Sequence, residues 1–133
     1  YDHIIIDCPP ALGWLTINAF TASDKVLVVV EPGYFELDSI SQLSKTLEEV
    51  QDYFHPTLDL LGILFTKADS TINSRKSLEI LRKTYKEKIF DTIIPRAVAL
   101  KTSSFKKKDI FSSDPKSKGA LAYQRLIKEI FHV

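Results

Sequence analysis

Three short runs of branched aliphatic residues, at 4–7, 25–30 and 58–65, are separated by stretches long enough to hold one helix each. Strands spaced this way need crossover connections, which are right-handed and lay the strands parallel. The expected fold is therefore α/β, a parallel sheet with flanking helices. The second run, Val26-Leu27-Val28-Val29-Val30, is continuous rather than alternating. Such a run belongs to a strand buried on both faces. Pro9 and Pro10 stop the first run by removing ladder donors, and Glu31-Pro32-Gly33 ends the second.

Helical periodicity fills the intervals. A helix is expected from about 14 to 22. A longer one follows, because Ile40, Leu43, Leu47, Val50 and Phe54 recur at spacings of three and four on one face, and His55-Pro56 closes it. A helix over about 71–87 turns Leu78, Leu81 and Tyr85 inward and spreads Arg75, Lys76, Arg82, Lys83 and Lys86 over its other faces. A short fourth strand is expected at 89–94, ended by Pro95. Residues 96–118 read as mostly irregular, with Ser112-Ser113-Asp114-Pro115 a turn. A last helix over about 117–131 places Ala120, Tyr123, Ile127 and Ile130 on its buried side. With 133 residues, 44% of them hydrophobic, the chain can bury one core, and a single domain over 1–133 is expected.

Charge is unevenly distributed. The first 66 residues carry two lysines against ten acidic residues, a net of −8, whereas the remainder carries 16 basic against seven acidic, a net of +9. A segment this basic either pairs with the acidic half as a solvated surface or attracts a polyanion such as DNA. The lone Cys8 excludes an internal disulfide, and His3, His55 and His132 are too far apart for a local metal motif. No stretch approaches the roughly 18 to 20 apolar residues that cross a bilayer. A soluble, cytoplasmic protein is expected.

The first run ends in Asp7, and a carboxylate at the end of an apolar parallel strand emerges at the carboxyl edge of the sheet, where open α/β folds bind ligands. There it can hold a magnesium ion and its waters. The usual companion is a loop of the form G-x-x-x-x-G-K-[ST] that cradles phosphate. Gly13, Gly33, Gly62 and Gly119 are isolated from one another and none precedes a lysine. The chain looks like the second half of a larger ATPase.

The run from Tyr1 through Asp2-His3-Ile4-Ile5-Ile6-Asp7-Cys8-Pro9-Pro10-Ala11-Leu12-Gly13, followed by Leu15-Thr16-Ile17-Asn18-Ala19, resembles the Walker B and switch II segment of the ParA family of chromosome and plasmid partition ATPases. Tyr34-Phe35 with Ser41-Gln42-Leu43, Ile93-Ile94-Pro95-Arg96 and Asp114-Pro115-Lys116-Ser117-Lys118-Gly119-Ala120 resemble later signatures of that family, in the same order. The resemblance implies the second half of a deviant Walker A P-loop fold, without the loop itself. It assigns Asp7 to magnesium, normally through a coordinated water, and Cys8, Pro9, Pro10 and Gly13 to the switch that senses the γ-phosphate. Cys8 has no base beside it in sequence and is given no catalytic part. Thr66 falls where related ATPases place a polar adenine contact, and Pro95 and Arg96 match the loop that flanks the base. Lys67-Ala68-Asp69 is similar to a base-reading motif of GTPases, but three residues do not carry an inference of GTP.

The resemblance further implies ATP and magnesium as cofactors, a homodimer, nonspecific DNA as a partner, nucleoid association, and a ParB-like protein that stimulates hydrolysis. Lys86 matches a basic position used for DNA contact. Many relatives carry another basic residue where this chain has Ser112-Ser113, and Lys106, Lys107 and Lys108 can compensate, since nonspecific phosphate contact needs surface charge more than fixed geometry. The loop at 97–104 also departs from the family, lacking an Asn after Pro95-Arg96 and an acidic residue before an Ala-Pro pair. Lacking the phosphate loop, the chain alone is expected to show no ATPase activity. Two other classes fit parts of the pattern: a MinD-like ATPase anchored to membrane by a C-terminal amphipathic helix, and a nonenzymatic DNA-binding or dimerisation module. Only Lys128 is basic in the last eight residues, which favours no membrane.

Overall fold

A computed structural model describes the backbone of residues 1–33 and 37–131 and the side chains of 1–33 and 40–131. The elements run α1 (Trp14–Thr21), β1 (Lys25–Val30), α2 (Leu37–Tyr53), β2 (Asp59–Phe65), α3 (Ile72–Tyr85), a 3-10 turn (Lys86–Lys88), α4 (Val98–Phe105), α5 (Ile110–Ser113) and α6 (Lys118–Phe131). Helix and strand alternate as the apolar runs require, and the fold is α/β. The backbone divides into two compact units, Tyr1–Leu27 with Glu36–Leu61 and Val28–Phe35 with Gly62–Val133.

β1 and β2 pair in parallel. At one end the Asp59 N–H donates to the Asp24 carbonyl at 3.2 Å, and at the other the Thr66 N–H donates to the Val30 carbonyl at 2.8 Å. A third extended segment lies along β2 through parallel bridges Ile63↔Ile89 and Ala68↔Pro95. The fourth strand expected at 89–94 is thus present as two anchored ends and is interrupted between them. Gly62 allows the approach of this segment: a Cβ there would lie 2.8 Å from the Phe90 ring and 3.1 Å from the Lys88 carbonyl oxygen.

In the first unit α1 lies against α2. Phe20, Ile40, Leu47, Val50 and Leu58 are buried, and the Gln51 side chain donates to the Leu58 carbonyl at 2.6 Å, tying the end of α2 to the approach to β2. Phe54, expected on the buried face, is exposed, because α2 ends one residue earlier. The strand expected at 4–7 does not form: Ile4 and Ile5 are 80% and 91% exposed and no described residue pairs with this segment in a ladder. A parallel strand exists only through its neighbours' backbone groups, so aliphatic content alone does not make one.

In the second unit Ile63, Leu64, Phe65, Leu81, Phe90, Ile94, Ile110, Ala120, Ala122 and Leu126 form the core. Three expectations fail in informative ways. β1 is not buried on both faces among the described residues, since Val28 and Val30 are covered whereas Val29 is 58% exposed. The stretch 96–118 is not mostly irregular but contains α4 and α5, with Asp109 capping α5 by accepting from the Ser112 N–H at 2.8 Å. The inward face of α6 is Gly119, Ala120, Ala122 and Leu126, while Tyr123 and Ile127 are exposed. Small residues let α6 approach α4 closely: a Cβ on Gly119 would sit 2.7 Å from Leu100 Cγ. The signature ending Ser117-Lys118-Gly119-Ala120 has a local reason too, because the Ser117 hydroxyl accepts from the Ala120 N–H at 3.2 Å and starts the helix. The Tyr34-Phe35 resemblance lies outside the described residues.

Candidate functional site

The carboxyl ends of β1, β2 and the third segment meet in the second unit, and three of the expected site residues meet there. Hydrogen bonds fix the convergence. Ile94 N–H donates to the Phe65 carbonyl at 3.0 Å, Ala68 N–H to Ile94 at 3.1 Å, and Arg96 N–H to Ala68 at 2.8 Å. Thr66, Pro95 and Arg96 are thereby held along one sheet edge, the position at which open parallel sheets bind ligands. Thr66 is buried, and its hydroxyl donates to the Val30 carbonyl at 3.3 Å. Its oxygen lone pairs are left as acceptors, suited to an exocyclic amine. Pro95 is half-buried and the Arg96 side chain is 69% exposed, so a flat guanidinium and a proline ring border an open edge.

Charged groups that the sequence reading did not assign gather at the same edge. Lys67, with φ 51, places its ammonium 2.5 Å from Glu31 at the end of β1. The Asp69 carboxylate accepts from the Thr71 hydroxyl at 2.5 Å and the Thr71 N–H at 3.0 Å, and its other oxygen lies 4.0 Å from Arg96 Nε. Those hydrogen bonds, with a smaller contribution from Arg96, hold the Asp69 carboxyl below the ordinary carboxylate value. Thr71 in turn caps α3 by accepting from the Ser74 N–H at 3.2 Å. The signal for Glu31 and Asp69 was their place just past a strand end, the same criterion that singled out Asp7.

Asp7 lies in the first unit and is exposed, as are Pro9 and Pro10; Cys8 is half-buried, its thiol 3.9 Å from the Ile6 carbonyl. The turn that follows is ordered by α1. The Thr16 hydroxyl, buried, donates to the Ala11 carbonyl at 2.6 Å, and Gly13 is the N-cap with extended backbone and open space around its Cα. Gly13 therefore meets no local steric demand for glycine. No group of three or more potential metal-binding side chains is found among the described residues. A single carboxylate suits magnesium held through water, because this ion keeps several of its waters in protein sites.

The basic candidates Lys86, Lys106, Lys107 and Lys108 are all exposed in the second unit. Lys86 and Lys106 cap the C-terminal ends of α3 and α4, where positive charge complements the helix dipole. No described helix is long and apolar enough to cross a membrane.

A family described as an AAA domain matches residues 1–60. The sporulation initiation inhibitor protein Soj of Bacillus subtilis is 43% identical over 131 residues, covering 98% of this chain and 52% of Soj. The chromosome partitioning protein ParA of Myxococcus xanthus is 41% identical over 131 residues, covering 98% of this chain and 46% of ParA. Cobyrinic acid a,c-diamide synthase of Mycobacterium smegmatis, solved with an ATP analogue and magnesium, is 33% identical with a TM-score of 0.70, over 92% of this chain and 45% of that one. The chain spans about half the length of the curated relatives it matches.

Proposed function

We propose that this chain, similar to Soj and ParA over nearly its whole length, is the part of a ParA-type partition ATPase that receives the adenine base and presents DNA-binding charge. The observation that carries this reading is the hydrogen-bonded convergence of Thr66 and Pro95-Arg96 on the carboxyl edge of parallel strands. Thr66 accepts from the adenine amine, and Pro95 and Arg96 flank the ring. Asp7 would hold magnesium through a water molecule, and the ion when bound would supply neutralisation of phosphate charge. Cys8, Pro9, Pro10 and Gly13 form the switch after it. Lys86 and Lys106, Lys107 and Lys108 contact phosphates of nonspecific DNA when the ATP-bound protein is a homodimer, and hydrolysis, stimulated by a ParB-like partner, releases it. Placement in the cytoplasm on the nucleoid follows from that role. Residues 1–133 act as one domain of the complete protein but do not hydrolyse ATP alone, since the lysines that grip phosphate belong to a loop this sequence lacks.

Two assays test the reading. Phosphate release by residues 1–133 should stay at background; steady release that disappears in Asp7→Ala would overturn the claim of inactivity. Affinity of the full gene product for random duplex with ATP should fall steeply with salt, and Lys86→Ala should lower it alike for all sequences. Unchanged affinity in Lys86→Ala would return that lysine to the role of a solvated helix cap.

A further inference from the structure

We propose that Glu129, near the end of α6, is a positioning residue for the base-flanking loop at Pro95 and Arg96; the proposal rests on the reading of that loop given above. The segment beside β2 is anchored at its start, where Phe90 N–H donates to the Ile63 carbonyl at 3.1 Å, and at its end through Ile94, Ala68 and Arg96. Between those anchors its backbone leaves the ladder. The Asp91 N–H donates instead to one oxygen of Glu129 at 2.6 Å, and the Thr92 N–H to the other at 2.9 Å. One carboxylate thus accepts from two consecutive backbone N–H groups.

This attachment has mechanical consequences for the loop. Thr92 is 8% exposed, so water has little access to its N–H if the carboxylate is removed. Ile94, two residues on, is 2% exposed and both donates to Phe65 and accepts from Ala68. A shift at 91–92 is therefore passed to the Ile94 pairing and then to Pro95 and Arg96. The hydrogen bonds to Glu129 are charge-assisted, the stronger class. They outweigh the effect of burial and hold its carboxyl below the ordinary value.

The test compares ligands that share a triphosphate and differ in the base. In the full gene product, affinities for ATP and for inorganic tripolyphosphate, each with magnesium, are measured by competition against a fluorescent ATP analogue. Glu129→Ala should cut the advantage of ATP over tripolyphosphate on the order of tenfold, the weight of one hydrogen bond lost at the base, while leaving tripolyphosphate unchanged. Glu129→Gln keeps one acceptor oxygen and should fall between; it carries the test alone if the alanine variant does not fold. In an Arg96→Ala background, Glu129→Ala should add little, because the two act through one loop. An undiminished ATP advantage in the folded variants, or equal loss for both ligands, overturns the positioning role. A wild-type protein that binds ATP no better than tripolyphosphate overturns the base-site reading and this proposal with it.

Discussion

Replacing Gly119 by alanine should destabilise the protein, although alanine is the better helix former. A Cβ at 119 would lie 2.7 Å from Leu100 Cγ and 3.0 Å from each of its methyl carbons. Cγ is the branch point of Leu100 and cannot swing away without a change of rotamer or a shift of α4. Overpacking of this kind costs about 1–3 kcal/mol, against a gain of at most about 1 kcal/mol from helix propensity. The clash wins, and a net loss of about 1 kcal/mol corresponds to a fall in Tm of roughly 3–5 °C for a domain of this size. Removing the Leu100 branch should reverse the sign: in a Leu100→Ala background the added methyl enters vacated space and Gly119→Ala becomes neutral or stabilising. Urea denaturation of the wild type, both single variants and the double variant measures the cycle. Stabilisation by Gly119→Ala in the wild-type background, or the same sign in both backgrounds, would refute the contact between α4 and α6.

Thr16→Val keeps the shape but leaves the Ala11 carbonyl with the Gly13 N–H as its remaining donor, and should lower stability by about 1 kcal/mol and speed amide exchange at Gly13. Asp69 and Asp109 both have folded-state values below their unfolded ones, owing to hydrogen bonds from Thr71 and Ser112 respectively. Their stabilisation is therefore present above the unfolded carboxylate range and is lost as pH falls through the folded value; Asp69→Asn and Asp109→Asn should each flatten that acid limb in denaturation midpoints measured against pH. Lys86 has φ 41 and ψ −112, a backbone region suited to glycine, so Lys86→Gly should raise stability by about 1 kcal/mol while Lys86→Ala does not. Both substitutions should lower DNA affinity equally if the ammonium is what contacts phosphate.

Much of the α/β order was legible because it rests on local pattern. β1 and β2 follow their aliphatic runs, and α3 begins at the Thr71 cap. What escaped depends on distant residues. Residues 98–105 carry no amphipathic signal and fall in the stretch expected to be mostly irregular. In the fold Ser103 and Ser104 satisfy their hydroxyls on the Leu100 carbonyl at 2.9 and 3.1 Å, while Leu100 packs over Gly119. The face of α6 was misjudged because bulk suggested Tyr123 and Ile127, whereas close helix contact selects Gly119, Ala120 and Ala122. Residues 4–7 failed for the opposite reason: their aliphatic side chains are suited to a strand, but a ladder needs partners that periodicity cannot supply. Thr66, Pro95 and Arg96, singled out by motif and strand end, fall along one sheet edge. The ion pair of Lys67 with Glu31 and the grip of Glu129 on residues 91 and 92 join positions 36 to 38 apart and leave no mark in local sequence.

In the proposed function adenine is received at the carboxyl edge formed by Thr66, Ala68, Pro95 and Arg96. Hydrogen–deuterium exchange of the full gene product, with and without ATP and magnesium, tests it most directly. Slower exchange on adding ATP is predicted at the amides of 66–69 and 94–97, and should weaken in Arg96→Ala. Exchange at those amides that does not respond to ATP, while ATP protects other parts of the protein, would contradict it.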